Sequence, residues 1–250
     1  MSLSREAFFD RLRKCDRELP KTSQITPDAY RKAFRRALQD PDTEVFYLCG
    51  SSGLSGCWQS ACMARDLLEE KERVVLLDSL TAISGCGQLA RAACRLRDSA
   101  GSARELADRI RELRDHQHTY GQADDLRYLV LGGRLNAAVG KVGNTLHLKP
   151  MLRFEGGKVH QAGLVRGREH VLRWYAERLR EFPPRPDIPM VVAGADCPES
   201  VERIVSFLRG LDMALPPIET LGVGAVVGTY VGPGLTSMSW ISDIPAPAEA

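Results

Sequence analysis

Apolar residues recur at helical spacing from the start of the chain. Phe8, Phe9, Leu12 and Cys15 predict an amphipathic helix over 4–19 that ends before Pro20. Thr26-Pro27 restarts a helix, because a hydroxyl N-cap followed by proline at the first helical position is a start signal; Tyr30, Phe34 and Leu38 give it an apolar stripe. The run 45–49, Val-Phe-Tyr-Leu-Cys, is rich in strand formers and ends in a glycine-serine turn over 50–56. A helix over 57–71, a buried strand over 73–77 ending at Asp78-Ser79, and helices over 85–100 and 102–116 follow. Strands alternating with helices predict a parallel sheet.

A turn-rich stretch, Leu131-Gly-Gly-Arg-Leu135, precedes a short helix, and then the pattern changes. Segments 146–154 and 158–165 read as strands joined by a hairpin connection at Glu155-Gly-Gly157. A helix over 168–181, a proline-rich linker over 183–186, a strand over 189–194 and a helix over 198–211 come next, and 220–230 and 236–241 are again β-like. The expected fold class is α/β in two domains. Residues 1–146 form a three-layer parallel-sheet domain and residues 147–250 a smaller mixed-sheet domain.

Composition narrows the functional classes. The chain is 44% hydrophobic and 26% charged, as in an ordinary globular protein. With 34 basic and 32 acidic residues its net charge is +2, which supplies no strong basic field for nucleic acid or an anionic membrane surface. No run approaches the roughly 20 apolar residues of a membrane span, and the first ten residues lack an apolar leader core, so a cytoplasmic protein is expected. Seven cysteines, at 15, 49, 57, 62, 86, 94 and 197, form no C-x-x-C pair and read as small buried hydrophobes, with neither a disulfide framework nor a zinc knuckle.

The loop Gly50-Ser-Ser-Gly-Leu-Ser-Gly56 lies between a strand and a helix, where open α/β sheets bind ligands. The helix it opens presents unpaired N–H groups and a positive dipole end, suited to an oxyanion. Ser55 can cap that helix or face a ligand, and spacing does not choose between the two. A phosphate loop would place Gly-Lys-Ser/Thr here, whereas the chain continues Gly56-Cys57-Trp58; Gly222-Val-Gly224-Ala-Val-Val-Gly228 misses dinucleotide spacing by one and does not clearly open a helix.

Three further elements carry polar side chains on turns. Lys21-Thr-Ser-Gln-Ile25 sets two hydroxyls and an amide before a helix, for capping or for a carboxylate. Gly132-Gly-Arg134 puts a guanidinium on a turn, as a surface group or as a planar fork for an anion. Gly228-Thr-Tyr-Val-Gly-Pro-Gly234 reads as a hairpin or corner turn offering Thr229 and Tyr230. His116 and His118 lack a third ligand and are expected to be exposed, Asp124-Asp125 reads as an acidic first helical turn, and Asp78-Ser79 either lines the cleft or caps. No catalytic triad and no metal site are expected.

Taken in order, Thr22-Ser-Gln24, Ser51-Ser-Gly-Leu-Ser-Gly56 with Gln59-Ser-Ala61, Asp78-Ser79, Gly132-Gly-Arg134, Leu148-Lys-Pro150 and Gly232-Pro-Gly234 resemble the DegV family, over about residues 21–240. The resemblance implies a non-catalytic carrier with a long-chain fatty acid between two α/β domains and no cofactor. It also implies presentation of that lipid to a separate kinase subunit with a Dak-type domain, which forms an acyl phosphate. Carried over, it implies that Thr22 and Ser55 hydrogen-bond the carboxylate, with Ser52, Arg134 and Tyr230 beside it.

Two departures stand out. Only 21 residues precede Thr22, so the family's first strands are expected to be absent; and Tyr230 stands where the family commonly has histidine before its Gly-Pro-Gly turn. A phenol can donate to a carboxylate but carries no positive charge near neutral pH. Two rival readings are a small-molecule transferase or hydrolase using the 50–56 loop as an anion cradle, and a vestigial regulatory subunit without lipid.

Overall fold

The computed structural model describes residues 3–15, 18–136 and 148–246. Helix α1 (Arg5–Arg13) is capped by Ser4, whose Oγ accepts the Ala7 N–H at 3.2 Å, and it ends well before Pro20. Helix α2 (Pro27–Ala37) is capped by Thr26, which accepts the Ala29 N–H at 3.3 Å. Strands β1 (Val45–Cys49) and β2 (Val74–Asp78) pair in parallel, Val45 opposite Val74 through Cys49 opposite Asp78. Both faces of this pair are covered. Tyr30, Phe34 and Leu38 on one side pack with Ala61, Ala64 and Leu68 around helix α3 (Cys57–Asp66). On the other side, Leu77, Phe46 and Leu48 meet Leu89, Ala93, Leu106 and Ile110 of helices α4 (Ser84–Leu96) and α5 (Ala103–Asp115). Continuous apolar strands buried on both faces are the signature of a parallel layer between helices, and three layers result.

The second sheet has six strands in the order β5-β4-β3-β8-β6-β7. They are β3 (Gln117–Gln122), β4 (Leu148–Glu155), β5 (Lys158–Arg166), β6 (Met190–Gly194), β7 (Ile218–Gly222) and β8 (Thr236–Ile241). Only β6 and β7 run parallel; the other pairs are antiparallel. Helices α7 (Arg168–Glu181) and α8 (Pro198–Arg209) cover one face, burying Tyr175, Leu179, Leu208, Met238 and Trp240 completely or nearly so. The opposite face receives α4, and there the contact is polar. Gln88 accepts from Gln117 Nε2 (2.9 Å) and Ser239 Oγ (3.1 Å), and donates to the Pro189 carbonyl (2.7 Å). Ser84 and Ser237 share a hydrogen bond at 2.5 Å. Satisfied buried networks of this kind fix orientation, because each unpaired group would cost ~1–3 kcal/mol.

Several expectations are corrected. Strand β3 has the polar sequence Gln-His-Thr-Tyr-Gly-Gln and gave no apolar signal, yet all six residues are buried, because α4 and β8 supply their partners. The stretch 220–230 is not one β segment: β7 stops at Gly222, and helix α9 (Ala225–Val231) starts from Gly224. Tertiary packing overrides the β-branched composition there, since α1 lies on α9 so closely that a Cβ at Gly228 would stand 2.7 Å from the Phe9 ring. The glycine series that did not seem to open a helix does so. The helix expected over 57–71 ends at Asp66. The division expected near residue 146, and the short helix expected after Leu135, fall outside the described residues; β3, which precedes them, pairs with β4 and β8. Helix α6 (Arg127–Leu131) precedes the Gly132-Gly-Arg134 turn, and ahead of its N-cap Leu126 the Asp125 carboxylate accepts the Arg127 N–H at 2.8 Å.

His118, expected to be exposed, is 2% exposed. Its ring stacks on Phe182 at 4.1 Å and lies 5.8 Å from Trp240, with Nε2 2.9 Å from the Ile244 carbonyl oxygen. Burial is the main cause that holds this imidazole below its ordinary value near 6.5. The unfolded chain therefore binds the proton more readily than the folded protein, and stability rises with pH through that region. Urea unfolding is expected to give a lower free energy at about pH 5 than at about pH 8, and His118→Phe is expected to reduce that difference. An equally steep dependence in the variant would assign it to other groups.

Candidate functional site

The carboxyl ends of β1 and β2 feed two loops that hold each other. Ser51 N–H donates to the Thr81 carbonyl at 2.9 Å and Ser79 N–H to the Cys49 carbonyl at 3.1 Å. The Asp78 carboxylate accepts from the backbone N–H groups of Ser52 (3.2 Å) and Leu80 (3.0 Å), so Asp78 is an internal brace for both loops. The 50–56 loop also reaches the large sheet: Ser51 Oγ donates to the Gly157 carbonyl at 2.5 Å, within the β4–β5 turn. Gly53 is required by that approach, because a Cβ there would stand 2.6 Å from the Gly157 oxygen.

Between this loop, segment 22–25, α9 and the face of the large sheet lies a cavity of about 520 Å³. This is within the range of roughly 300–1,000 Å³ that encloses small-molecule ligands. One part of its wall is polar, with Thr22, Ser55, Arg134 and Tyr230; elsewhere Leu129, Leu152, Phe154, Val159, Val231 and Leu235 make it apolar. Thr22 Oγ1 and Tyr230 OH are 2.5 Å apart. The Arg134 guanidinium lies over the Tyr230 ring at 3.9 Å from its centroid and is aimed by the carbonyls of Leu54 (3.1 Å) and Gly132 (2.5 Å). Stacking and carbonyl contacts together fix a planar cation that a flexible ammonium could not replace.

Four of the five residues singled out from the sequence thus share one cavity wall. Ser52 does not: it is absent from the lining, and its N–H is turned to Asp78. Sequence reasoning placed Tyr230 on a turn, whereas α9 presents it. It also gave no role to Cys57 or to the β4 wall. Cys57 could have been found as the first residue of the helix that the loop opens, but nothing in the alternation of 148–155 marks Leu152 and Phe154 as cavity residues rather than core.

Electrostatically the polar end suits an anion. It combines the Arg134 guanidinium with hydroxyl donors and the N-terminus of α3. Burial opposes ionisation of the Cys57 thiol, yet hydrogen bonds from the Ser55 hydroxyl, the Ile25 backbone and the Tyr30 side chain outweigh it and hold the thiol below its ordinary value of 9.0. Behind it, Tyr30 is pushed up to about 12 by burial and bonds Tyr47 at 2.7 Å, so the phenols stay protonated. Among the described residues the lining contains no His, Asp, Glu or Lys, so Ser55 has no general base beside it. Among the described residues no group of three or more His, Cys, Asp or Glu could hold a metal ion, and no helix is long and apolar enough to cross a membrane.

The sequence pattern that defines the DegV family of uncharacterised proteins matches residues 1–243. A DegV domain-containing protein of Clostridium acetobutylicum is 36% identical over 154 residues, 62% of this chain and 54% of that relative, so the chain spans about half of that relative's length. Among solved structures, a DegV family protein of Thermus thermophilus, described by its fatty acid binding, superimposes with a TM-score of 0.86 at 25% identity, covering 96% of this chain and 85% of that one. The Fatty Acid Kinase (Fak) B3 protein of Streptococcus pneumoniae, loaded with linoleic acid, gives a TM-score of 0.84 at 20% identity, covering 97% and 85%; at that identity the likeness concerns the fold.

The environment of Cys57 can be measured directly. Alkylation by iodoacetamide, followed peptide by peptide in mass spectrometry, is expected to show a midpoint for Cys57 below 9.0, and Ser55→Ala is expected to raise it. A midpoint at or above the ordinary thiol value would mean that burial wins over the hydrogen bonds.

Proposed function

The chain belongs to the DegV family, and from that premise we propose that it carries one long-chain fatty acid, held by its carboxylate at Thr22, Ser55, Arg134 and Tyr230. The observation that carries the reading is the division of the cavity wall into a hydroxyl-and-guanidinium part and an apolar remainder. An ionised carboxylate taken out of water without partners costs several kcal/mol or more. The polar wall offsets that cost with a charge-assisted donor and hydroxyls, and the Thr22–Tyr230 pair has two hydroxyl groups that can both turn toward an arriving oxygen.

Burial of the tail supplies the affinity. At ~0.8 kcal/mol per methylene, a chain of about 16 carbons is worth on the order of 10 kcal/mol before the costs of association. The polar end then sets orientation, with the carboxyl at the α3 N-terminus and the tail along the large sheet. The solved Thermus thermophilus relative, described by its fatty acid binding, supports this class of ligand.

The protein is a binding protein and not an enzyme, a reading supported by its DegV family membership and by the solved relative described by its fatty acid binding. Presentation of the lipid to a separate Dak-type kinase subunit, giving an acyl phosphate, is the reading that the family resemblance favours. The Streptococcus pneumoniae neighbour bears the name of a fatty acid kinase protein. In such a transfer Tyr230 would donate a hydrogen bond to the reacting carboxyl without adding charge, which leaves Arg134 as the cation at this wall.

Purified protein extracted with organic solvent is expected to release a long-chain fatty acid, seen by mass spectrometry. Lipid-free protein from several expression hosts, with no thermal shift on adding fatty acids, would sink the reading. Thr22→Ala or Ser55→Ala is expected to weaken binding by ~1–3 kcal/mol by leaving a carboxylate oxygen unpaired; unchanged affinity in both would remove this wall from the head-group site.

A further inference from the structure

Thr22 belongs to segment 18–25, which lies between α1 and α2 and forms neither helix nor strand. Among the described residues, none of its backbone groups enters a backbone–backbone hydrogen bond. Its hydrogen bonds to the rest of the protein run through side chains: Thr22 to Tyr230, Gln24 to Ser60, and the Ile25 backbone to the Cys57 thiol. The first of these cannot hold Thr22 in a loaded protein. Each hydroxyl carries one proton, so when both donate to a carboxylate neither donates to the other. Another contact must keep the Thr22 hydroxyl in place once a carboxylate arrives, and Gln24, two residues on, makes the nearest one along the segment.

Gln24 reaches the start of α3. Its Nε2 donates to Ser60 Oγ at 3.0 Å, and Ser60 is 1% exposed. Its Oε1 occupies the space over Gly56, where a Cβ would overlap it. Gly56 has φ −71° and ψ 3°, backbone angles that do not call for glycine. Glycine at 56 therefore answers to the room that the Gln24 amide takes up. The contact joins the two donor-bearing segments beside their donors, since Gln24 stands two residues after Thr22 and Gly56 one residue after Ser55. Ser60 itself does not line the cavity.

We propose that Gln24 is the positioning residue of the head-group site: its amide clamps segment 18–25 to the start of α3, so that the Thr22 and Ser55 hydroxyls stay spaced for one carboxylate. The proposal rests on the fatty-acid reading of the cavity. A positioning role of this kind has two marks. It matters for a head group that takes both hydroxyls and little for one that takes a single hydrogen bond, and it vanishes once Thr22 is gone.

Binding of hexadecanoic acid and of hexadecanol is measured by competition with a fluorescent fatty acid, for the wild type, Gln24→Leu, Ser60→Ala, Thr22→Ala and Thr22→Ala/Gln24→Leu. Gln24→Leu and Ser60→Ala are each expected to weaken the acid about five-fold, the size of one lost hydrogen bond, and the alcohol less than about two-fold. In the Thr22→Ala background, Gln24→Leu is expected to add less than about two-fold. Gly56→Ala, which displaces the amide without altering it, is expected to repeat the Gln24→Leu result. Equal losses for acid and alcohol would overturn the proposal, because they mark a general loosening of the cavity. An undiminished Gln24→Leu effect in Thr22→Ala would overturn it too, as would a Ser60→Ala protein that binds like the wild type, since Gln24 would then touch the ligand itself. Should Ser60→Ala, at a buried position, fail to fold, the Thr22 double-mutant comparison and Gly56→Ala decide. Wild-type protein that binds neither the acid nor the fluorescent probe would instead overturn the fatty-acid reading.

Discussion

The hydrogen bond from Ser51 to the Gly157 carbonyl joins two parts of the chain that share no strand pairing. Ser51 belongs to the loop after β1, in the small parallel sheet, and Gly157 to the β4–β5 turn of the large sheet. Ser51 also lines the cavity, so this contact lies at its edge. The close approach is exacting. Gly53 has no room for a side chain, and Gly157 has φ +79°, a conformation that glycine adopts without strain. With this clasp in place, the N-terminus of α3, the Leu54 carbonyl that aims Arg134 and the floor residues Leu152 and Phe154 take fixed relative positions. The clasp acts together with the α4 network of Gln88 and Ser84, which also joins the helical layer to the large sheet.

Much of the fold was legible because its signals were local. The Thr26-Pro27 start of α2, the apolar runs of β1 and β2 and the Gly156-Gly157 hairpin each follow from residues within one element. Strand β3 was not legible. Gln117, His118 and Thr119 are strand residues only because α4 and β8 offer them partners that lie far away in sequence, and nothing in their own order announces burial. Helix α9 was misread for a related reason. Its valines favour strand, but the glycine at 228 makes sense only once Phe8 and Phe9 of α1 lie against it. Local propensity loses where the contact that decides the conformation is distant.

The site divides along the same line. Thr22, Ser55 and Arg134 sit in polar or glycine-rich segments whose composition is unusual for structure alone, and the fold brings them to one cavity with Tyr230 of α9. Ser52 belongs to the same loop and looked equivalent, but a turn that exposes Ser55 to the cavity directs the N–H of Ser52 to Asp78. Spacing within a tight loop does not determine which face each side chain takes. The residues that make up the apolar part of the cavity were invisible for the opposite reason, since Leu152 and Val159 are what any sheet would bury.

Tyr230 stands where the family resemblance implies a histidine, and the two side chains differ in the charge they can carry. An imidazole there would titrate near neutral pH and would bind a carboxylate more strongly as it charged. The ring of Tyr230 serves as the platform over which the Arg134 guanidinium lies at 3.9 Å. The guanidinium of Arg134 is the cation on this wall among the described residues. The hydroxyl of Tyr230, 2.5 Å from Thr22, still supplies direction. Charge and direction thus come from two residues held against each other, and the packing of α9 against α6 keeps them together.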